Sequence, residues 1–290
     1  MIGHRAVLTI AWATLALAIG ACDENPSFQK LGSMDITTSA PSVEKDIVTA
    51  DGWTVKYDRF LVHVTGIEVA GTDQVLAASA TAQIVDQVAP GSKSLLSAPV
   101  RTARPWEVVT FQIGPAVLDT ETAIIEPVKE ADRDMMQKDG LSFYVEGKAS
   151  KAGIVKAFKW GFKTDTLYKD CEENRSGTVV RGLVVPPDGN DTADVGMAGE
   201  ILFSDNLAAA GELRAEAIAT ADADGDGTVT LAELRAAPLD VARTVGGSYA
   251  IGTRAEIADL GAFVEAQTQS VVARFRATGK CTAEPVPAGP

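Results

Sequence analysis

The middle of the chain alternates apolar and polar side chains with the period of a β-strand. Phe60, Val62 and Val64 fall on one parity, while Leu61 and His63 fall on the other. Successive side chains of a strand point to opposite faces, so this alternation predicts a strand. The predicted strands span 54–69, 82–85, 106–113, 142–148, 156–162 and 178–185. Short strands bounded by Gly, Pro, Asn or Asp favour an antiparallel β-sandwich over residues 51–204.

The last third of the chain has helical spacing instead. Leu213, Ala217 and Ile218 can share one helix face, because residues three and four apart are neighbours on a helix. The predicted helices span 213–220, 231–237 and 254–277, and one earlier helix spans 128–138. The expected fold class is therefore α+β, with a β-sandwich body followed by a helical segment over residues 205–281.

The two ends of the predicted body carry little periodic apolar pattern. Residues 22–50 are rich in Ser, Thr, Gly and Pro, which predicts a tether. Residues 282–290 contain three prolines, and we expect a disordered tail there.

An apolar run opens the chain. Arg5 precedes residues 6–19, which are almost wholly apolar, and Ile19, Gly20, Ala21 and Cys22 follow. Such a run is too short for a comfortable membrane span and is typical of a signal peptide, here residues 1–21. Its end resembles the lipobox of bacterial lipoproteins, which implies lipidation of Cys22 and anchoring in the cell envelope, on the periplasmic or the surface side. An ordinary secretory signal is the alternative.

The overall charge argues against a nucleic-acid-binding protein, and the cysteines suggest a disulfide. The chain has 290 residues, 39 acidic and 26 basic, for a net charge of -13. An acidic chain repels nucleic acid, so we expect no nucleic-acid partner. Export implies an oxidising compartment. With Cys22 lipidated, Cys171 and Cys281 are expected to form a disulfide, and two free thiols are the alternative.

The segment 222–233 carries the strongest chemical signal. Its oxygen-bearing candidate ligands are Asp222, Asp224, Asp226, Thr228, Thr230 and Glu233. Gly227 permits the positive φ that a turn around an ion needs. This spacing resembles the EF-hand calcium loop, in which a closing glutamate completes an all-oxygen shell around Ca²⁺. An acidic turn without an ion is the alternative.

The flanks of this segment extend the resemblance to 211–238, with helices predicted before and after the loop. EF-hands usually occur in pairs, yet no second loop has the ligands. We therefore expect Val229 to pair with residues 249–251 as a ligand-free partner.

The order of Trp160, Cys171, the calcium loop and Cys281 is also similar to that in a set of secreted bacterial lipoproteins. Many of those proteins carry His-Gly-Asp-His-Leu-Phe where this chain has Ala-Gly-Glu-Ile-Leu-Phe at 198–203. The resemblance implies no particular activity, and without those histidines it gives no support for a transition-metal role.

The sequence has no Gly-x-Ser-x-Gly turn, no Walker loop and no dinucleotide fingerprint, whereas its many acidic residues leave a pair of carboxylates for glycoside chemistry open. After the signal peptide one histidine remains, His63, so a multi-histidine metal site cannot form. We expect a packed His63 and a non-enzymatic structural or interaction module that binds calcium. The alternative is a lipoprotein whose β domain binds a peptide or glycan, with Trp53, Trp106 and Trp160 as a platform rather than as core residues.

Overall fold

The computed structural model describes residues 32–101, 104–207 and 210–286. Strands make up 47% of it and helices 17%, which confirms the prediction of a β-rich body. The signal peptide and the lipidation site at Cys22 lie outside the described residues. No helix within the described ranges is long and apolar enough to cross a bilayer.

The regular elements follow one another in a long series of short strands. The strands are β1 (Gly32–Ser39), β2 (Ile47–Val48), β3 (Thr54–Ala70), β4 (Val75–Ala78), β5 (Ala82–Asp86), β6 (Lys93–Val100), β7 (Pro105–Trp106), β8 (Val108–Ile113), β9 (Thr122–Ile124), β10 (Phe143–Lys151), β11 (Ile154–Phe162), β12 (Thr166–Arg175), β13 (Thr178–Arg181), β14 (Leu183–Val184), β15 (Asn190–Met197), β16 (Thr228–Thr230), β17 (Val272–Phe275) and β18 (Lys280–Pro285). The α-helices are α1 (Glu130–Asp139), α2 (Glu216–Ala219), α3 (Leu231–Ala236), α4 (Leu239–Val245) and α5 (Leu260–Gln267). Short 3₁₀ helices span Gly199–Phe203 and Thr268–Ser270.

The described strands form one large sheet and two smaller ones. The large sheet follows the order β13-β12-β8-β3-β10-β11-β16, with β2, β4, β5, β9 and β18 paired beside this path. A second sheet has the order β17-β15-β1-β6, and β14 pairs with β7. Most neighbours are antiparallel, as expected, but β1 with β15, β5 with β9 and β11 with β16 are parallel.

The alternation of β3 separates two hydrophobic clusters. Phe60 and Val62 belong to the main core, while Leu61 belongs to a smaller cluster with Met136 of α1. Gly140 ends α1 in the left-handed conformation at φ 62°, which glycine adopts without steric cost. The period-2 pattern therefore placed the faces of this strand correctly.

The main core continues across the predicted boundary at residues 204 and 205. Val229, Leu234 and Phe263 belong to the same cluster as Phe60. The late segment shares its core with the β body.

The predicted tether is wrong from residue 32 onwards. Met34 and Ile36 of β1 are fully buried, and β1 lies between β15 and β6. Polar residues separate the few apolar ones in this segment, so its sequence does not indicate a strand. The strands that pair with β1 lie far along the chain. The predicted tail is likewise wrong for 282–285, because β18 pairs with β12.

The long helix predicted over 254–277 is wrong for most of its length, because only α5, Leu260–Gln267, is α-helical there. The Asp259 side chain accepts a hydrogen bond from the Ala262 amide and caps the N-terminus, and the chain then enters β17. There Phe275 pairs with Val195 of β15, so sheet pairing overrides the helical pattern. The helix predicted before the acidic loop is reduced to the four residues of α2. After the loop, where a helix was predicted over 231–237, the chain forms the six residues of α3.

Candidate metal centre

The acidic loop curls around the first of its carboxylates. Gly225 and Gly227 have φ values of 75° and 86°, which glycine adopts without steric cost. The Gly225 amide donates to Asp222 Oδ1 at 2.9 Å, and the Gly227 amide donates to Asp222 Oδ2 at 3.1 Å. These bonds orient the Asp222 carboxylate inside the turn.

Three carboxylates converge in this loop. Asp222, Asp224 and Asp226 each place one oxygen so that the three atoms lie within 4.8 Å of one another. Asp224 and Asp226 are exposed, and each also accepts a backbone amide of the loop. Like charges this close repel, and a hard cation with oxygen ligands relieves that repulsion. The donor set therefore fits calcium.

Glu233 connects the two ends of the loop and lies outside this group of three. Its Oε2 accepts hydrogen bonds from the Thr230 amide and hydroxyl, both at 2.8 Å, and its Oε1 accepts from the Ala223 amide at 3.1 Å. The hydrogen bonds from Thr230 hold the pKa of Glu233 below its ordinary value. Thr230 is also the N-cap of α3, and Thr228 opens β16.

A lysine from the β body reaches into the loop. The Lys156 ammonium on β11 contacts Asp222 Oδ2, and the Asp222 side chain is only 1% exposed. This hydrogen bond is the main reason that the pKa of Asp222 is lowered. Sequence reasoning missed Lys156, because the two residues are 66 positions apart and only the fold brings them together.

The strand inside the loop adds to the edge of the large sheet. Val229 pairs with Phe158, and the Trp160 indole donates to the Val229 carbonyl at 2.9 Å. The expectation that Val229 pairs with residues 249–251 is therefore wrong, and Ala250 instead forms a bridge with Asn206. The edge of β11 supplies the backbone partners that the pairing of β16 requires.

The short helix before the loop is also attached to the β body. Asp51, between β2 and β3, accepts the Ala215 amide at 2.9 Å and the Glu216 amide at 2.8 Å. Glu216 in turn accepts the Trp53 indole at 2.9 Å and the Lys151 ammonium at 2.6 Å. The β body therefore positions both sides of the loop.

The predicted disulfide is present. Cys171 of β12 is bonded to Cys281 of β18, with an S–S distance of 2.04 Å. The alternative of two free thiols is thus wrong, and the bond ties β18 covalently to β12 of the large sheet.

The other residues considered for chemistry are buried. Trp53, Trp106 and Trp160 are 3%, 2% and 0% exposed, so they pack as core residues and do not form a platform. His63 Nδ1 lies 2.7 Å from the Gly114 carbonyl oxygen, and burial lowers the pKa of the imidazole.

Comparison with models of known protein families, with curated proteins and with solved structures finds no match. The geometry of the loop therefore carries the functional argument.

Proposed function

We propose that this protein is an exported, non-enzymatic calcium-binding protein whose EF-hand-like loop at 222–233 stabilises the fold. The observation that carries the proposal is the convergence of the Asp222, Asp224 and Asp226 carboxylates within 4.8 Å. Calcium would be held by these three groups, with Glu233 at the start of α3 as the closing ligand and Thr228 and Thr230 as further oxygen donors. The ion supplies positive charge that offsets the repulsion among the acids.

The surroundings of the loop support a structural role for the ion. α2 and α3 flank the loop in the order expected of an EF-hand, and β11 takes the place of the second loop of a pair. Val229 is buried in the main core, so ordering the loop also orders part of that core. Outside the cell calcium is typically millimolar, and sites with dissociation constants of about 10⁻⁴–10⁻³ M are then largely filled.

The proposed protein is anchored in the cell envelope and has a sandwich-like body. The lipobox-like sequence ending at Cys22 supports export and anchoring in the cell envelope, and the disulfide is compatible with an oxidising compartment. The two larger sheets contribute to one main core, which supports a sandwich-like body. The buried tryptophans give the alternative, a glycan- or peptide-binding β domain, no specific support.

Calorimetry and thermal melting of the full chain test the proposal. We expect calcium to bind and to raise the melting temperature relative to chelator. Calcium at ten times the dissociation constant adds about 1.4 kcal/mol to the free energy of unfolding. Asp224→Asn and Glu233→Gln should each reduce both effects.

Asp240→Asn is the matched control, because this aspartate lies on α4 with its side chain 92% exposed and outside the loop. It should bind calcium like the unmodified chain. The proposal is rejected if calcium produces no binding heat and leaves the melting curve of the unmodified chain unchanged.

A further inference from the structure

We infer that Lys156 sets the calcium affinity of the loop, as an internal cation that shares the Asp222 carboxylate with the ion. This inference rests on the proposed function and adds a regulatory residue to it. Lys156 lies on β11 of the β body, outside the segment that carries the ligands.

The contact between Lys156 and Asp222 is sheltered. The ammonium contacts Asp222 Oδ2, the oxygen that also accepts the Gly227 amide. The side chain of Asp222 is 1% exposed and that of Lys156 is 25% exposed. Water screens such a pair less than it screens an exposed one.

Strand pairing fixes the lysine beside the loop. The next residue, Ala157, pairs with Thr228, and its amide donates to the Gly227 carbonyl at 2.8 Å. The backbone of β11 is thus hydrogen-bonded to the loop one residue from Lys156. A group attached in this way acts at a high effective concentration, because it does not have to diffuse to its partner.

Two opposing effects on calcium binding follow. An ion held by Asp222 lies close to the ammonium, and the repulsion between the two positive charges weakens calcium binding. When calcium is scarce, the same ammonium neutralises the sheltered carboxylate and keeps the loop attached to β11. Lys156 would therefore keep the site in the weak range of extracellular calcium modules, about 10⁻⁴–10⁻³ M.

The test is calcium calorimetry on the full chain with Lys156→Met and with Lys159→Met as the matched control. Both variants remove one positive charge from β11, but Lys159 is exposed and its Nζ lies 5.8 Å from the centre of the Tyr144 ring. We expect Lys156→Met to bind calcium at least about ten-fold more tightly than the unmodified chain, the change that about 1.4 kcal/mol produces. Lys159→Met should stay within about two-fold.

Melting curves supply a second measurement that requires no binding heat. In chelator Lys156→Met should melt below Lys159→Met, because the Asp222 carboxylate has lost its partner, and calcium should reverse that order. Lys156→Gln replaces the methionine variant if the latter fails to fold. Equal calcium affinities in the two variants would overturn the inference and leave the proposed function standing. Absence of binding in all chains would overturn both.

Discussion

Two late segments of the chain join the large sheet, and different chemistry holds each of them. At the loop junction β16 pairs with β11, next to the acidic turn. At the disulfide junction β18 pairs with β12, next to the bond between Cys171 and Cys281. The disulfide junction is held by a covalent bond within the protein, whereas the loop junction carries negative charge that the protein does not fully compensate.

Near the disulfide junction, the charged side chains have partners within the protein. Besides the covalent bond, the turn that leads from β17 into β18 is held by Arg276, which donates to both carboxylate oxygens of Asp191 on β15, at 2.8 and 2.6 Å, and to the Gly182 carbonyl at 3.0 Å. Arg276 and Asp191 have side-chain exposures of 6% and 12%. Bidentate pairs of this kind combine charge with fixed geometry, so dissolved cations should affect the turn before β18 little.

The loop junction combines a buried strand with excess negative charge. Val229 is 1% exposed, but Asp224 and Asp226 face solvent beside Asp222, and Lys156 compensates one charge of the three. The stability of this junction should therefore depend on dissolved cations. A strand can thus be packed into a core while the stability of the turn that leads to it still depends on the cations in solution.

The largest expected effect comes from breaking the disulfide junction. Replacing Cys171 and Cys281 together by alanine should lower the free energy of unfolding by about 2–5 kcal/mol, because the unfolded chain gains freedom. Denaturant unfolding in calcium and in chelator measures this loss in the free energy of unfolding. The difference between those two conditions should remain as large as in the unmodified chain, and its disappearance would show that the junctions are coupled.

A smaller effect should come from the hydrogen bond that ties Trp160 to the loop strand. Trp160→Phe removes the donor to the Val229 carbonyl, and we expect a loss of about 1–2 kcal/mol together with weaker calcium binding. Denaturant unfolding and calorimetry measure the two changes.

Trp106→Phe provides the control for this prediction. Trp106 is equally buried, but its indole nitrogen has no hydrogen-bond partner among the described residues. This variant should leave calcium binding unchanged. If both tryptophan variants weaken calcium binding equally, loss of core volume rather than the hydrogen bond connects the core with the loop.

Local pattern predicted the features that depend on neighbours in sequence. The parity of β3, the presence of α1 and the convergence of the three loop aspartates are of this kind. Pairing between distant segments could not be predicted in the same way. The strand at Gly32–Ser39, the shortened helix α5 and the contact of Lys156 with Asp222 all depend on partners far along the chain.

The smallest predicted effect concerns His63, which lies on β3 and outside both junctions. Burial lowers the pKa of its imidazole from the ordinary value of 6.5, so below that pH the unfolded chain takes up more protons than the folded one. This residue's contribution to stability is therefore complete above pH 6.5 and declines as the pH falls towards the lowered pKa, with a slope of at most about 1.4 kcal/mol per pH unit. Denaturant unfolding in chelator between pH 7.5 and about 5 measures the slope, and His63→Gln should flatten it near pH 6. An unchanged slope in that variant would show that His63 does not cause the pH dependence.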